Sequence, residues 1–317
     1  MRTGKKTAWT TKMRKPTWKE LQGHRDWAND QGEGIAAVLG CSNHPIDPFA
    51  IAAAEPVIFL KGADLGDEFD GRLSYCPRRK ATQRDRFLLA YNTRYDHICQ
   101  YDGEHCPKVR FTIAHELGHY FMDRHRHHLQ EGGQAYTCYT ESYCEMVMEL
   151  EADSFAAGLL MPSSLLAPVI NRQVAEEPSL DDIRYVARDF QISLTSMMVR
   201  WTKLSDFPCA VFSVAENEGK LGIRWGWVSE AFANVGAYWR LYGQFRSRDA
   251  RGFLGQAPDF SQWQCGSGLG TMADWVETDH RISVKEHYAV IPYARHLLVF
   301  LTAAEDELSD CRPLRQY

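Results

Sequence analysis

The sequence predicts an α+β protein in which a unit built around one apolar helix precedes a smaller, strand-rich unit. Residues 111–121 have the apolar pattern of a central helix, and histidines spaced four residues apart interrupt that pattern. Beyond residue 208, short apolar runs bounded by turn residues are typical of strands. Ser205–Pro208 has the composition of a linker. We therefore divide the chain into a basic N-terminal arm (1–44), a first unit with a helical extension (45–204) and a C-terminal α+β unit (205–317).

Residues 1–20 are rich in Lys and Arg, with Glu20 as the acid among them and Trp9 and Trp18 interleaved. We interpret this arm as solvated and in part poorly ordered, and the alternative is a basic arm that contacts nucleic acid. Gly23, Gly32 and Gly34 interrupt the rest of the arm, so no separate DNA-binding domain is expected there.

The first elements after the arm are a short helix and two strands. Pro45 or Asp47 can begin the helix, which Pro56 ends. Val57–Leu60 and Phe87–Tyr91 are apolar runs of strand length, and a charged segment separates them.

The apolar helix contains His115, Glu116 and His119 in the order H-E-x-x-H. Residues four apart lie on one face of a helix, so both imidazoles project together with Glu116 beside them. Two neutral imidazoles at about 2.0–2.1 Å suit Zn²⁺, and a carboxylate next to the first ligand can take a proton from water. This pattern predicts a zinc site with His115 and His119 as ligands and Glu116 as general base. The alternative is a pair of hydrogen-bonded core histidines, but burying Glu116 without a metal or partner is costly.

Three residues are candidates for the third ligand. His125 has the spacing of a longer zinc motif, but Met122 stands where that motif needs a glycine. Glu149 and Glu151 lie in the next segment of helical period. Glu149 falls near the edge of the apolar stripe and Glu151 points away from it, so Glu149 is the predicted ligand. Glu151 and His125 remain the alternatives.

Other polar residues near the motif have ligand chemistry. Asp153 can accept a hydrogen bond from a ligand imidazole and fix its tautomer. His and Cys residues also cluster in two segments, 97–106 and 125–144, but without the tight spacing of structural zinc sites. We interpret both clusters as loop residues, with a second metal site as the alternative.

The segment Arg110–His119, followed by Glu149–Ala156 and Leu159–Pro162, resembles the ImmA/IrrE family of metallopeptidases. The resemblance covers about residues 45–205. It implies a zincin-like fold and zinc-dependent cleavage of a helix-turn-helix repressor, which derepresses stress-response or mobile-element genes.

Carried over by position, the resemblance implies that His115, His119 and Glu149 are zinc ligands and that Glu116 is the general base. Peptidases of this kind commonly hold an extended substrate against an edge strand. Val57–Leu60 and Phe87–Tyr91 are the two candidates for that edge.

Two more helices are predicted within residues 180–203. A DNA-binding helix pair is one interpretation, but Lys and Arg are sparse there, so we expect packing against the first unit.

The C-terminal unit has four apolar runs of strand length, with a turn at Glu218–Gly219 and a long loop at 245–272. The resemblance implies that a GAF-like sensor domain can occupy this position, and substrate recognition is a second role for it. The predicted strands are Cys209–Val214, Leu221–Val228, His287–Ile291 and His296–Leu301.

The composition limits the classes of partner. A net charge of −5 argues against nucleic acid as a direct partner. Nine cysteines without regular spacing favour reduced thiols and a cytoplasmic protein. No apolar run approaches the ~18 residues of a membrane span, so no membrane partner is expected. No feature of the sequence indicates an oligomeric state.

Two functions from different classes remain. The leading hypothesis is a zinc metalloendopeptidase of the HExxH plus Glu type that cleaves a protein, with a helix-turn-helix repressor as the expected substrate. The alternative is a non-proteolytic regulator that binds a partner protein or DNA and has a structural or silent metal site. A site with only three protein ligands argues against the alternative, because structural zinc sites fill all four positions.

Overall fold

The computed structural model is a mixed α+β protein with helices and two sheets. It confirms the predicted α+β class. The residues that it describes are 17–67, 69–80, 84–97, 105–131, 143–173, 177–217, 220–234, 250–251, 253, 263–278, 280–291, 296–304 and 308.

A long first helix, α1 (Trp18–Val38), lies within the segment that the sequence assigns to the arm. It begins with a capping box in which Thr17 accepts a hydrogen bond from the Glu20 N–H and the Glu20 carboxylate accepts one from the Thr17 N–H. α1 packs against α5 (Tyr143–Leu160), so this part of the N-terminal segment is an ordered element of the fold.

The first sheet has three strands, β1 (Ile58–Ala63), β2 (Gly71–Cys76) and β3 (Arg86–Asn92), and a short helix α2 (Pro48–Ala54) precedes it. The strand order is β1-β3-β2, with β1 parallel and β2 antiparallel to β3. The two predicted strands correspond to β1 and β3. β3 is therefore central and not an edge. β2, which was not predicted as a strand, is the edge that packs on the helix carrying His115 and His119.

The remaining helices of the first unit follow one another closely. α3 begins with Pro107 at its first position, where a missing N–H costs nothing, and α7 begins with a capping box between Ser179 and Asp182. The helices are α3 (Pro107–Phe121), α4 (Asp123–Gln130), α5, α6 (Ser163–Gln173), α7 (Leu180–Asp189) and α8 (Leu194–Leu204).

The C-terminal unit is a five-stranded antiparallel sheet of order β5-β4-β8-β7-β6, with a short helix α9 (Glu230–Asn234). β6 lies within the predicted long loop 245–272, so that prediction is wrong for its last part; residues 245–249 and 254–262 lie outside the described residues. The predicted turn at 218–219 is also outside them. The strands are β4 (Cys209–Asn217), β5 (Lys220–Val228), β6 (Gln264–Thr271), β7 (Ser283–Ile291) and β8 (His296–Thr302).

One hydrophobic core runs through both units. Leu117, Phe155 and Trp201 of the helices belong to the same buried cluster as Val211 and Phe300 of the sheet. The opposite face of this sheet forms a second cluster with α9 and the segment that follows β6. The sheet is therefore packed on both faces, and α8 contacts β4 and β5 directly.

No single helix in the described part of the chain is long and apolar enough to cross a membrane. A pair of helical segments, Met146–Leu160 and Ser163–Ile170, meets the length and composition criteria together but is bent by 65°.

The cysteines differ from the expectation of uniformly reduced thiols. Cys41, Cys76, Cys209 and Cys265 are free. Cys106, at the start of α3, is disulfide-bonded, so the expectation is wrong at this residue.

Candidate metal centre

The three motif residues lie in the interior of the protein on α3. His115 is 9 % exposed, Glu116 4 % and His119 0 %. α3 is held between α5 on one side and β2 and β3 on the other, which excludes water from most of its surface. The contact with β2 is close: a side chain at Gly71 would place its Cβ 2.2 Å from Thr112 Cγ2, so Thr112 would have to move to admit it.

Glu149 on α5 completes a convergent set with the two histidines. His115 Nε2 lies 3.1 Å from His119 Nε2 and 3.2 Å from Glu149 Oε2. His119 Nε2 lies 3.5 Å from Glu149 Oε1. Tetrahedral Zn²⁺ with bonds of about 2.0–2.1 Å separates its ligand atoms by about 3.3 Å, so the three side chains have the spacing of a zinc site. Among the described residues, they form the one group that could hold a metal ion.

The outer ring nitrogens of both histidines are engaged away from this centre. His115 Nδ1 is 2.9 Å from Asp153 Oδ1, and His119 Nδ1 is 3.0 Å from His125 Nδ1. Such bonds fix the tautomer that leaves Nε2 without a proton, facing the centre. The expected role of Asp153 as a hydrogen-bond acceptor therefore agrees with its position.

The electrostatics favour a neutral His119 and ionised Glu149. Burial lowers the pKa of His119 to about 4. Burial also lowers the pKa of His115, but the hydrogen bonds with Asp153 and Glu149 have the larger effect, so the pKa of His115 is raised. Burial would raise the pKa of Glu149, yet hydrogen bonds with the two histidines lower it. Glu149 Oε1 is buried and faces His119 Nε2 at 3.5 Å, a position that suits an atom binding a cation held between the two side chains.

Glu116 stands beside the centre as a buried acid. Burial, with a contribution from Glu149, raises its pKa to about 7, while His115 and a backbone hydrogen bond from Leu73 act in the opposite direction. Its Oε2 lacks a hydrogen-bond partner in the described part of the protein. A carboxylate in this setting is ready to accept a proton from a water at the centre.

His125 and Glu151, the two alternative third ligands, lie behind the centre. His125 bonds to the outer nitrogen of His119, and His125 Nε2 is 2.8 Å from Glu151 Oε2. Both are fully buried. The prediction that Glu151 points away from the core is wrong: it is turned inward, toward α1 and α4, where His24 and Arg124 contact it.

The described members of the two His/Cys clusters have other partners. His105 Nδ1 is 3.0 Å from Asp96 and its ring stacks on Phe49, while Cys106 is in a disulfide. His127 is exposed and pairs with Glu131 at 3.1 Å. Cys99 and Cys138 lie outside the described residues.

A cleft of about 490 Å³ adjoins the centre. It runs from Glu149 and Asp153 on α5 to Trp225 and Trp227 on β5, so the C-terminal unit forms one of its walls. The other lining residues are Arg25, Asn29, Phe111, Met146, Leu150, Ser154, Ala157, Met161, Thr195, Ser196, Val199, Arg200 and Lys203.

Sequence reasoning missed two contributors to this region. Leu73 on β2 donates its N–H to Glu116, and His24 on α1 reaches Glu151. Both come from segments distant in sequence, and neither has a local signal.

Comparison with known proteins agrees with this geometry over part of the chain. The solved structure of a Mycobacterium tuberculosis transcriptional regulator is similar in fold, with a TM-score of 0.54 and 13 % identity over 89 % of this chain and 81 % of that one. No curated protein matches the sequence significantly. Residues 104–202 match the family model Peptidase_M78, described as an IrrE N-terminal-like domain. Over this segment, which includes His115, Glu116, His119 and Glu149, the chain carries an ImmA/IrrE family domain, and this match supports a metallopeptidase.

Proposed function

We propose that this protein is a zinc-dependent endopeptidase of the HExxH plus Glu type with a zincin-like catalytic unit. The observation that carries the proposal is the convergence of His115 Nε2, His119 Nε2 and Glu149 carboxylate oxygens within 4.8 Å of one another. Three protein ligands leave a fourth position for water or substrate, as catalytic zinc sites require.

In this proposal each residue has one task. When bound, Zn²⁺ would act as a Lewis acid toward water and the peptide carbonyl. Glu116 accepts the proton of the attacking water and then transfers it to the leaving amine. The Leu73 N–H, which donates to the Glu116 carboxylate, holds the base in place. Asp153 and His125 orient the two ligand imidazoles through their outer nitrogens.

The substrate backbone is proposed to lie along β2. Of the two edges of the first sheet, β2 is the one whose Leu73 N–H reaches Glu116. An extended peptide added to this edge would place its carbonyls beside the general base. The two strands predicted from the sequence are less suitable, because β3 is covered on both sides and β1 is the opposite edge.

The cleft between α5, α8 and β5 is proposed to accept substrate side chains. Trp225 and Trp227 bring the C-terminal unit to the same cleft as Glu149, which supports a role in substrate recognition for the unit 205–317. The five-stranded antiparallel sheet of that unit also suits the proposed GAF-like sensor.

We propose a helix-turn-helix repressor as the substrate, whose cleavage derepresses stress-response or mobile-element genes. The ImmA/IrrE match over 104–202 supports it. A repressor substrate requires a cytoplasmic enzyme.

The test begins with the metal content of wild type, His119→Ala and Glu149→Ala, prepared in parallel and measured by elemental analysis. We expect about one zinc per chain in the wild type and loss in both variants, because each removes one of three ligands. Zinc retained by Glu149→Ala would contradict the ligand set. A wild type without zinc would favour the non-proteolytic regulator.

Glu116→Gln separates metal binding from catalysis. The amide cannot accept the proton of water, so this variant should retain about one zinc per chain and lose cleavage by a factor of at least about 10². Cleavage is measured on candidate helix-turn-helix repressors by mass spectrometry. A fully active Glu116→Gln protein would refute the mechanism.

A further inference from the structure

A buried polar chain extends from the candidate metal centre to the N-terminal helix. We propose that His125 and Glu151 are positioning residues that fix the tautomer and orientation of His119, and that His24 of α1 anchors Glu151. We call these three residues the His119 support. The proposal rests on the proposed function only in requiring that a metal binds at His119.

The His119 support is continuous at hydrogen-bond distances. His119 Nδ1 is 3.0 Å from His125 Nδ1, and His125 Nε2 is 2.8 Å from Glu151 Oε2. Glu151 Oε1 is 2.5 Å from His24 Nδ1 and also pairs with Arg124. The residues come from four helices, α1, α3, α4 and α5, so the contacts depend on the assembled fold.

Only one arrangement of protons satisfies this chain when His119 binds a metal through Nε2. His119 then carries its proton on Nδ1 and donates it to His125 Nδ1. His125 must therefore carry its own proton on Nε2, where it donates to the Glu151 carboxylate. Glu151 accepts, and the donors His24 and Arg124 stabilise its charge. The Glu151 carboxylate, which can only accept, thus fixes which atom donates in the hydrogen bond from His125 and in the one from His119.

Packing alone does not account for these residue types. His125 and Glu151 are both 0 % exposed, and a buried imidazole and carboxylate are costlier than apolar residues of similar size.

The two ligand histidines are supported unequally. Asp153, which bonds to His115, has a side chain that is 62 % exposed, whereas the support behind His119 is buried as far as His24, which is 33 % exposed. Water can replace the exposed Asp153 as the acceptor for His115, but it does not reach the buried position that His125 occupies beside His119. Loss of His125 should therefore weaken metal binding more than loss of Asp153.

The experiment compares His125→Leu and Glu151→Met with the matched variant Asp153→Asn and the surface control His127→Ala. Zinc affinity is measured by competition with a chromophoric chelator, and ligand geometry by the visible absorption of the Co²⁺-substituted protein. The thermal midpoint of the metal-free protein reports on folding. Loss of support of this kind typically weakens metal binding 10–100-fold.

We expect a decrease of that size, with an altered Co²⁺ spectrum, for His125→Leu and Glu151→Met, and a smaller decrease for Asp153→Asn. His127→Ala should equal wild type. Each apolar variant leaves one buried polar partner without its hydrogen bond, so the metal-free midpoint should fall somewhat, but by less than the loss of zinc affinity requires. Glu151→Gln, which retains an acceptor for His125, should recover most of the affinity and keep the assay informative if Glu151→Met fails to fold.

Wild-type zinc affinity and Co²⁺ spectra in both His125→Leu and Glu151→Met would overturn the proposal, as would affinity losses that only follow losses in the metal-free midpoint. These outcomes differ from failure of the proposed function. A protein that binds zinc through the support but cleaves nothing would refute the endopeptidase and leave this inference standing. A wild type that binds neither zinc nor Co²⁺ would refute both.

Discussion

Arg200 is a buried cation that joins α8 to α1 and to the end of α5. Its Nε donates to the Met161 carbonyl at 3.1 Å and its Nη1 to Asn29 Oδ1 at 3.0 Å, while its Nη2 pairs with Glu33. Burial lowers the pKa of Arg200 and the charge of Glu33 acts against that change. α8 is thereby tied to α1 and to the end of α5, which carries Glu149.

Glu33→Ala should destabilise the protein by about 3–5 kcal/mol, because it leaves the Arg200 charge buried without its carboxylate. The free energy of unfolding is measured by urea titration. The matched control is Asp67→Asn, which removes the partner of Arg94 in an exposed pair and should cost at most about 1 kcal/mol. Equal losses in the free energy of unfolding for the two substitutions would show that the buried Arg200–Glu33 pair stabilises the protein no more than an exposed pair does.

At the residue scale, the sequence predicted what is local. His115, Glu116 and His119 share one helical turn, so their spacing alone places them together. The choice between Glu149 and Glu151 followed from the apolar stripe and agrees with the convergence of Glu149 on the histidines. Glu151 was misplaced because its surroundings are supplied by α1 and α4, and helical periodicity within α5 carries no information about them.

Helix packing at the element scale depends on two glycines where α1 crosses α5. A Cβ at Gly32 would lie 2.2 Å from the Phe155 carbonyl oxygen, and one at Gly158 would lie 2.2 Å from the Asn29 carbonyl oxygen. These are backbone atoms, which cannot rotate away. The small residues therefore let the two helices approach closely and bring His24 within reach of Glu151.

Gly158→Ala should destabilise the protein by about 1–3 kcal/mol, because the methyl group forces the helices apart. Gly34→Ala is the control on the same helix pair: its added Cβ meets nothing within 4 Å, so the better helix propensity of alanine should stabilise the protein by up to about 1 kcal/mol. Both effects are measured as shifts in the urea unfolding midpoint. A Gly158→Ala protein as stable as wild type would contradict the close crossing.

Elements with strong apolar patterns were predictable, and those supported by distant partners were not. α3, β3 and β8 have runs of buried apolar residues that identify them locally. β6 consists largely of glycine and polar residues, which are depleted in strands, and it forms because β7 pairs with it over Gln264–Thr271. α1 was missed for a similar reason: its glycines weaken helix propensity, and one of them, Gly32, is required by the close approach of α5.

For the whole molecule, the shared core couples the proposed catalytic unit to the C-terminal sheet. Val211, Leu298 and Phe300 belong to the cluster that surrounds Phe155 and Trp201, and α8 lies directly on β4 and β5. Neither unit can therefore unfold without exposing apolar surface of the other. This coupling also holds Trp225 and Trp227 at the cleft beside Glu149.

The intact protein should therefore unfold in one calorimetric transition whose calorimetric and van't Hoff enthalpies agree, although two independent domains would give two. Trp201→Ala removes a fully buried side chain from the shared core and should lower the stability of the whole molecule by about 3–5 kcal/mol. Phe232→Ala, in the second cluster alone, is the matched comparison. If the core is shared, Phe232→Ala should lower the midpoint temperature of the same single transition. Two resolved peaks, of which Phe232→Ala moves only the peak of the C-terminal unit, would show that the two units unfold independently.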